Sequence, residues 1–223
     1  MGKTEIRAQV ENFQQLLNSV KGIREGSEQV IRNTVKDLKA RAPSWVAGIV
    51  TQTYAINKKE IIPGSVRKTK GGVQKVDQAA TIRISGETIE SFTMQYEGRL
   101  LTPVHFGMTP KAPPQGKSYT LKMQVFKGKK QVIGRYKNTR TPGGPFSKRS
   151  HNILMGTGNA KEDGTNWIPF QRVSPVRTNI EKFTTVSVPQ MVDNKEVNKQ
   201  IYEKLNEEAA KRLEHHAKRI LGK

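Results

Sequence analysis

Four histidines, the side chains best suited to acid–base or metal chemistry near neutral pH, lie at positions His105, His151, His215 and His216. None of them has a second ligand at a spacing typical of a metal site. His215 and His216 are adjacent, so on a helix their side chains point about 100° apart and cannot hold one metal ion together. We therefore expect no metal site.

The carboxylates and glycine-rich strings offer no catalytic constellation either. Glu87 and Glu90 are close in sequence, but a solvated strand end explains them better than an acid/base pair. Gly156-Thr-Gly158 lacks the lysine and the following helix that a phosphate-binding loop needs. The absence of cysteine excludes disulfides, Cys-ligated zinc and thiol nucleophiles, and it fits assembly in a reducing cytoplasm. We predict that the protein is not an enzyme and binds no cofactor.

Positive charge is the property that this sequence concentrates. Residues 98 to 160 hold twelve Lys and Arg and no Asp or Glu. Of the net charge of +20, residues 1 to 62 contribute +4, residues 63 to 188 contribute +14 and residues 189 to 223 contribute +2. Because a surface of one sign repels itself, the middle segment indicates a negatively charged neighbour: nucleic acid, an anionic membrane surface or an acidic protein ring. A domain of high pI without a charged partner is the plainer alternative.

The basic residues are expected on strands and loops, which argues against reading of a DNA sequence. Sequence-specific readers place Arg, Asn or Gln on a helix in the major groove, whereas the helical segments here are near charge balance. Exposed aromatics for RNA stacking are limited to Tyr119, Phe126 and Tyr136, and Tyr119 shares its strand face with apolar Leu121. Nonspecific, salt-sensitive backbone contact remains. The candidate residues that face DNA or a protein partner are Lys122, Lys127, Lys129, Lys130, Arg135, Lys137, Arg140, Lys148 and Arg149.

Strand patterning dominates the middle of the chain. In residues 119 to 126, Tyr119, Leu121, Met123 and Val125 share one face, which is typical of a half-buried strand. Lys127-Gly-Lys-Lys130 fits a hairpin turn into a second strand, so the lysines should lie at the tip and on the wet face. Further strand candidates are residues 81 to 84, ended by Gly86, then 104 to 106, 131 to 133 and 151 to 155. Residues 64 to 76 are expected to form a mobile, Gly- and Lys-rich connector, and residues 171 to 186 a long irregular connection.

Helical periodicity marks both ends of the chain. The apolar residues Ile6, Val10, Phe13, Leu17 and Val20 predict an N-terminal helix, with Thr4 as N-cap and Gly22 as its end. A second helix carries Ile31, Val35, Leu38 and Ala42, and Pro43 should kink or restart it before Trp45, Val46, Ile49 and Val50. A last helix over residues 194 to 221 places Val197, Ile201, Leu205, Ala209, Leu213 and Ala217 on one stripe. That stripe is core or oligomer interface, and Val197, Ile201, Leu205 and Leu213 are the candidate interface residues.

These elements predict an α+β fold, a small antiparallel sheet or partly open barrel with N-terminal helices and a long C-terminal helix. Its segments would be 1–62 (helical), 63–188 (basic, β-rich, with long loops) and 189–223 (helix), forming one structural unit. The hydrophobic content of 34% predicts a modest core and much surface in contact with partners. No apolar run of about 18 residues exists, so we expect no membrane span, and the polar N-terminus does not have the pattern of a secretory signal.

The order of these motifs resembles the minor tail protein Z family of tailed bacteriophages, the tail-completion proteins. The matching features are the Arg- and Lys-containing N-terminal helices, Thr102-Pro-Val-His-Phe106 before the basic hairpin, Ile168-Pro-Phe170, and Ser187-Val-Pro-Gln-Met191 before a terminal helix with Lys211-Arg-Leu-Glu214. The Ser-Val-Pro-Gln-Met string is the most specific of them. The chain departs from the family pattern in the longer spacer over residues 171 to 186.

The resemblance implies a structural virion protein at the head-proximal end of the tail, assembled in the host cytoplasm. It implies a homo-oligomeric ring, six-fold in our interpretation, that contacts the tail terminator or tail tube protein and the head–tail connector proteins and lies near the path of the DNA. The family offers no catalytic residues to carry over. The alternative from charge alone is a standalone nonspecific DNA- or RNA-binding protein.

Overall fold

The computed structural model of the chain describes residues 2–7, 26–69, 72–76, 78–114, 117–136, 153–156, 167–172 and 180–221. The described helices are α1 (Ser27–Thr53), α2 (Lys58–Ile61), α3 (Val188–Val192) and α4 (Lys195–Leu221), with a 3-10 helix at Pro103–Phe106. The described strands are β1 (Gly2–Arg7), β2 (Val66–Thr69), β3 (Gly72–Lys75), β4 (Thr81–Ser85), β5 (Thr93–Gly98), β6 (Tyr119–Met123), β7 (Gln131–Tyr136), β8 (Ile153–Gly156), β9 (Ile168–Arg172) and β10 (Ile180–Lys182). The strands form several small antiparallel sheets, which confirms the predicted α+β class.

The chain divides into two compact units whose bounds differ from the three predicted segments. The first unit comprises Met1–Thr51, Lys58–Arg99 and Ser187–Lys223, and the second comprises Gln52–Asn57 and Leu100–Val186. Residues 63 to 99 therefore belong with both ends of the chain rather than with the basic middle. The reason is strand pairing, because β5 lies between β1 and β4 in one sheet of the first unit.

The start of the chain is a strand, not the predicted helix. β1 pairs with β5 in an antiparallel register that places Thr4 opposite Tyr96. The Thr4 hydroxyl donates a hydrogen bond to the Pro189 carbonyl at 3.0 Å, so it is not a helix N-cap. Pairing along β5 satisfies the backbone of these residues without a helix, and this long-range partner is not visible in the local pattern. The rest of the predicted N-terminal helix, at Val10, Phe13, Leu17, Val20 and Gly22, lies outside the described residues.

The two long helices, α1 and α4, lie where the sequence predicted helices. α1 is one helix that continues through Pro43 instead of restarting after it, and Pro43 is itself buried. Its predicted stripe is buried at Val35, Leu38, Ala42, Val46, Ile49 and Val50. Because packing of an apolar face contributes most of the stability of a helix in a protein, it offsets the loss of one backbone donor at Pro43.

The stripe of α4 belongs to the core of the chain. Val197 and Ile201 have an exposed fraction of 0%, and Leu205 and Leu213 of 1%. This corrects the assignment of those four residues to an oligomer interface, because side chains without accessible surface cannot contact a second copy. Near the end of α4, His216 Nε2 lies 3.3 Å from Asp37 Oδ2 of α1.

Residues 66 to 69 and 72 to 75 pair as two strands within the segment, 64 to 76, for which the sequence predicted a mobile connector. β2 and β3 pair antiparallel in the register Val66↔Lys75 and Lys68↔Val73. The error arises because each strand holds a single valine in its sequence, so the apolar alternation that usually signals a strand is missing. Two further errors concern residues 104 to 106, which lie in the 3-10 helix, and residues 171 to 186, which include β10.

The second unit holds the predicted basic hairpin. β6 pairs with β7, and β8, β9 and β10 form a three-stranded sheet in the order β10-β9-β8. Its core is Met108, Leu121 and Ile153, with partly buried Tyr119, Ile133, Met155 and Phe183 packed against it. The 3-10 helix comes directly before this hairpin in the chain. Pro103 favours its first turn, and Gly107, at φ 61°, ends it. None of the helices in the described ranges is long and apolar enough to cross a membrane.

Candidate polyanion-binding hairpin

The β6–β7 hairpin separates an apolar inner face from a basic outer face, as the alternation predicted. Leu121 and Met123 are buried, whereas Lys122 between them is exposed. Lys122 lies opposite Val132, and Thr120 lies opposite Arg135. Because cross-strand partners point to the same face, Lys122 and Arg135 both lie on the outer face.

The three remaining described lysines lie at the tip. The turn is closed by the Lys129 N–H, which donates to the Phe126 carbonyl at 3.1 Å, and the Lys127 N–H donates to the Thr53 carbonyl at 2.9 Å. Gly128 adopts φ 78°, a conformation that favours glycine. The side chains of Lys127, Lys129 and Lys130 are all exposed. The turn therefore presents three ammonium groups next to one another in sequence and on a backbone anchored by hydrogen bonds.

These five cations have no compensating carboxylate in the part of the chain that the structure describes. The five hairpin cations make no ion pair there, whereas Lys204, Lys211 and Lys218 of α4 pair with glutamates three or four residues away. The second unit as a whole contains 15 Lys and Arg against 3 Asp and Glu. Four of the five cations are lysines, which act as point charges, so this arrangement suits phosphates or carboxylates.

The remaining candidates, Lys137, Arg140, Lys148 and Arg149, lie outside the described residues. The structure thus brings together five of the nine basic residues that the sequence singled out, on one hairpin. Of these five, Lys122 and Arg135 lie on the outer face, and Lys127, Lys129 and Lys130 lie at the tip.

The inner face is held by close packing against β8. A Cβ at Gly134 would lie 2.7 Å from Ile153 Cγ1, so only glycine leaves room for this side chain. Tyr119 and Tyr136 stack across the two strands with ring centroids 5.0 Å apart. Partial burial raises the pKa of the Tyr119 hydroxyl, although a backbone hydrogen bond with Met155 acts in the opposite direction. Packing on one side of the hairpin therefore fixes the direction in which the basic residues point.

Two exposed apolar side chains, Phe126 and Val132, lie among the lysines. Phe126 is 40% exposed and Val132 is 55% exposed. The ring of Phe126 packs on Tyr54 with centroids 5.0 Å apart, which leaves its other side open. The sequence offered Phe126 as one of three aromatics for stacking, whereas Val132 gave no signal of exposure. An apolar group between cations is a feature of protein interfaces as well as of nucleic-acid platforms.

The histidines and carboxylates do not assemble into a chemical site within the described ranges. No group of three or more His, Asp or Glu there is arranged to hold a metal ion. The rings of His215 and His216 lie 5.3 Å apart in an edge-on arrangement on α4. Glu87 and Glu90 are both exposed between β4 and β5. His151 lies outside the described residues.

The string Ser187-Val-Pro-Gln-Met191 forms a helix N-terminus. The backbone N–H of Gln190 donates to the Ser187 hydroxyl at 3.4 Å, and the backbone N–H of Ser187 donates to the Gln190 side-chain oxygen at 2.9 Å. This reciprocal capping box starts α3, with Pro189 in its first turn. Val188 and Met191 are fully buried. The string therefore has a structural role in this chain, because each of its residues caps, starts or anchors a helix.

Comparisons of the chain with protein-family models, with curated proteins and with solved structures found no match.

Proposed function

We propose that this protein is a structural component of a tailed bacteriophage that completes the head-proximal end of the tail and joins it to the head. The observation that carries the proposal is the β6–β7 hairpin, on which five exposed cations face outward without an ion pair in the described residues. The order of motifs around this hairpin, from Thr102 to Met191, supplies the resemblance to tail-completion proteins.

Charge explains why such a protein would act in an assembly. In a six-fold ring, six copies would bring together about 120 net positive charges, which repel one another unless a polyanion neutralises them. Genomic DNA in a tail channel is one such polyanion, and an acidic neighbouring ring, such as a tail terminator or connector protein, is the other. The function requires neither a metal nor a cofactor, because joining depends on contacts between surfaces.

The first experiment asks whether tails need this protein. Tails assembled without it, imaged by negative stain, are expected to remain unjoined to heads and to fail to deliver DNA. Adding back the purified chain should restore joined particles. Tails that join heads and deliver DNA equally well without the protein would contradict the proposal.

A standalone nonspecific nucleic-acid-binding protein is the second candidate, favoured by Phe126 lying exposed among lysines. Filter binding to duplex and single-stranded DNA over a salt series separates the two. A true binder loses affinity with a log–log slope of about −0.9 per phosphate contact on duplex DNA. Glutamate substitution of Lys127, Lys129 and Lys130 would then make that slope shallower by about 2.7. A protein that acts by docking on an acidic ring would show weak DNA binding and no such change.

A further inference from the structure

The β2–β3 hairpin in the first unit carries a surface that the tail-completion proposal does not use. Val66 and Lys75 are cross-strand partners, and so are Lys68 and Val73. Residues two apart on a strand and cross-strand partners share a face, so these four side chains form one face. All four are exposed, with exposed fractions of 46% for Val66 and 66% for Val73. Valines and lysines therefore alternate diagonally on an open surface.

The outer edge of β3 also has backbone groups to offer. The Val76 N–H donates to the Ser65 carbonyl at 2.9 Å, which fixes the phase of the hydrogen-bonded pairs along the hairpin. Val73 and Lys75 then occupy non-hydrogen-bonded pairs, and their N–H and C=O groups point away from β2. In the described part of the chain neither residue has another hydrogen-bond partner, and β2 and β3 form a sheet of two strands there.

The opposite edge differs, because it is partly occupied. The Val66 carbonyl on β2 accepts a hydrogen bond from Lys59 Nζ at 3.2 Å. The β3 edge is thus the side on which a further strand could pair. A two-stranded hairpin is marginally stable by itself in water, and a third strand is the usual remedy.

We propose that the β3 edge binds a β-strand of an acidic protein partner, in which one face presents an apolar residue to Val73 and a carboxylate to Lys75. Strand addition supplies backbone hydrogen bonds, and the two side chains supply the choice of partner. The partner is acidic because Lys68 and Lys75 make no ion pair among the described residues. A second copy of this chain is a poor occupant, since it brings the same edge lysines and a net charge of +20. Phosphates are a poor match because the exposed valine side chains cannot donate hydrogen bonds to them.

The inference is independent of tail completion, because it rests on the geometry of one hairpin and not on the family resemblance. Its probe is a fluorescently labelled peptide, Thr-Val-Thr-Glu-Thr-Val-Thr-Glu, whose one face alternates Val and Glu. Fluorescence anisotropy with the full chain should give saturable binding. The same peptide with every amide N-methylated keeps its charge and side chains but cannot pair as a strand, and it should bind at least tenfold more weakly. The peptide with Lys in place of Glu should not bind.

Substitutions in the protein locate the site. Lys75→Glu should weaken binding of the acidic peptide at least tenfold, and Val73→Thr severalfold. The controls are Lys36→Glu, the same charge reversal at an exposed lysine of α1, and Val104→Thr, the same replacement at a valine that is 41% exposed, and they should leave binding unchanged. Circular dichroism checks that each variant folds, and the peptide-side controls need no folded variant.

Three results would overturn the proposal. They are equal binding of the normal and N-methylated peptides, equal loss of binding from the control substitutions, and displacement of the peptide by duplex DNA that is as strong with Lys75→Glu as with the wild-type chain. Sedimentation that shows self-association through this edge, lost in Val73→Thr, would assign it to a second copy and would also overturn it.

Discussion

Replacement of Gly134 by alanine tests the packing that orients the basic hairpin. An alanine Cβ at this position would lie 2.7 Å from Ile153 Cγ1 and 3.3 Å from Ile153 Cβ, and Cδ1 occupies the same space. Ile153 is 1% exposed and packs with Leu121, so it has little freedom to move. Overpacking of this kind costs about 1–3 kcal/mol. We expect Gly134→Ala to lower the free energy of unfolding by that amount.

A double-mutant cycle makes this prediction specific. Ile153→Ala removes the Cγ1 and Cδ1 atoms, and by itself it should cost about 2–5 kcal/mol through the lost burial and the cavity. In the double variant the alanine methyl at position 134 occupies part of that cavity instead of a filled space. The cost of the double substitution should therefore be smaller than the sum of the two single costs by about 1–3 kcal/mol.

Urea unfolding followed by circular dichroism, with thermal unfolding as a second probe, measures the cycle. In a chain of this length about 1 kcal/mol corresponds to about 2–4 °C in Tm. Costs that add within about 0.5 kcal/mol would refute the reasoning, because they would mean that Gly134 and Ile153 do not share space. A Gly134→Ala variant as stable as the wild type would refute it as well.

Three further predictions concern the helices α3 and α4. Ser187→Ala should remove the capping box of α3 and lower the free energy of unfolding by about 0.5–2 kcal/mol, whereas Ser187→Thr should retain most of it, as measured by urea unfolding. Leu205→Ala should lower the free energy of unfolding by about 2–5 kcal/mol and leave the sedimentation coefficient of the folded protein unchanged, whereas Leu100→Ala, at a side chain 48% exposed, should be close to neutral. A change in the oligomer mass of folded Leu205→Ala would restore the interface interpretation. Hydrogen bonds from Lys211 and Lys218 lower the pKa of Glu207 and Glu214 below the ordinary value of 4.5. The two carboxylates therefore contribute to stability above pH 4.5, and this contribution is lost as the pH falls through the lowered pKa values. The melting temperature of E207Q/E214Q should depend less on pH between pH 6 and pH 3 than that of the wild type, and an unchanged pH profile would contradict this.

Sustained periodicity is what made parts of the fold predictable. The stripe of α4 runs from Val197 to Leu213, and the alternation of β6 covers Tyr119 to Met123, so both elements could be predicted from local sequence. β1 could not, since six residues with little apolar pattern become a strand only through β5, almost ninety residues later. In the β2–β3 hairpin each strand holds one valine, Val66 or Val73, and both are exposed, so there is no apolar alternation for local sequence to detect.

The candidate site was predictable for the same reason and to the same extent. Lys127, Lys129 and Lys130 follow from the turn between two patterned strands. The exposure of the Phe126 ring depends on its contact with Tyr54, and the need for glycine at position 134 depends on Ile153. Both contacts join residues that are distant in sequence, so local sequence patterns could not predict them. The capping role of Ser187 is encoded in the spacing of Ser187 and Gln190, which fits a capping box.

The most direct test of the proposed function is head–tail joining in vitro with a charge-reversed hairpin. Tails that lack the protein are mixed with heads and with the wild-type chain, with K127E/K129E/K130E, or with K36E/K195E/K199E, which changes the net charge equally at exposed lysines of α1 and α4. Joined particles are counted by negative stain, after circular dichroism has shown that each variant is folded. We predict that the hairpin variant loses at least tenfold in joined particles and that the control joins as the wild type does. Joining by the hairpin variant at the wild-type level would contradict the account.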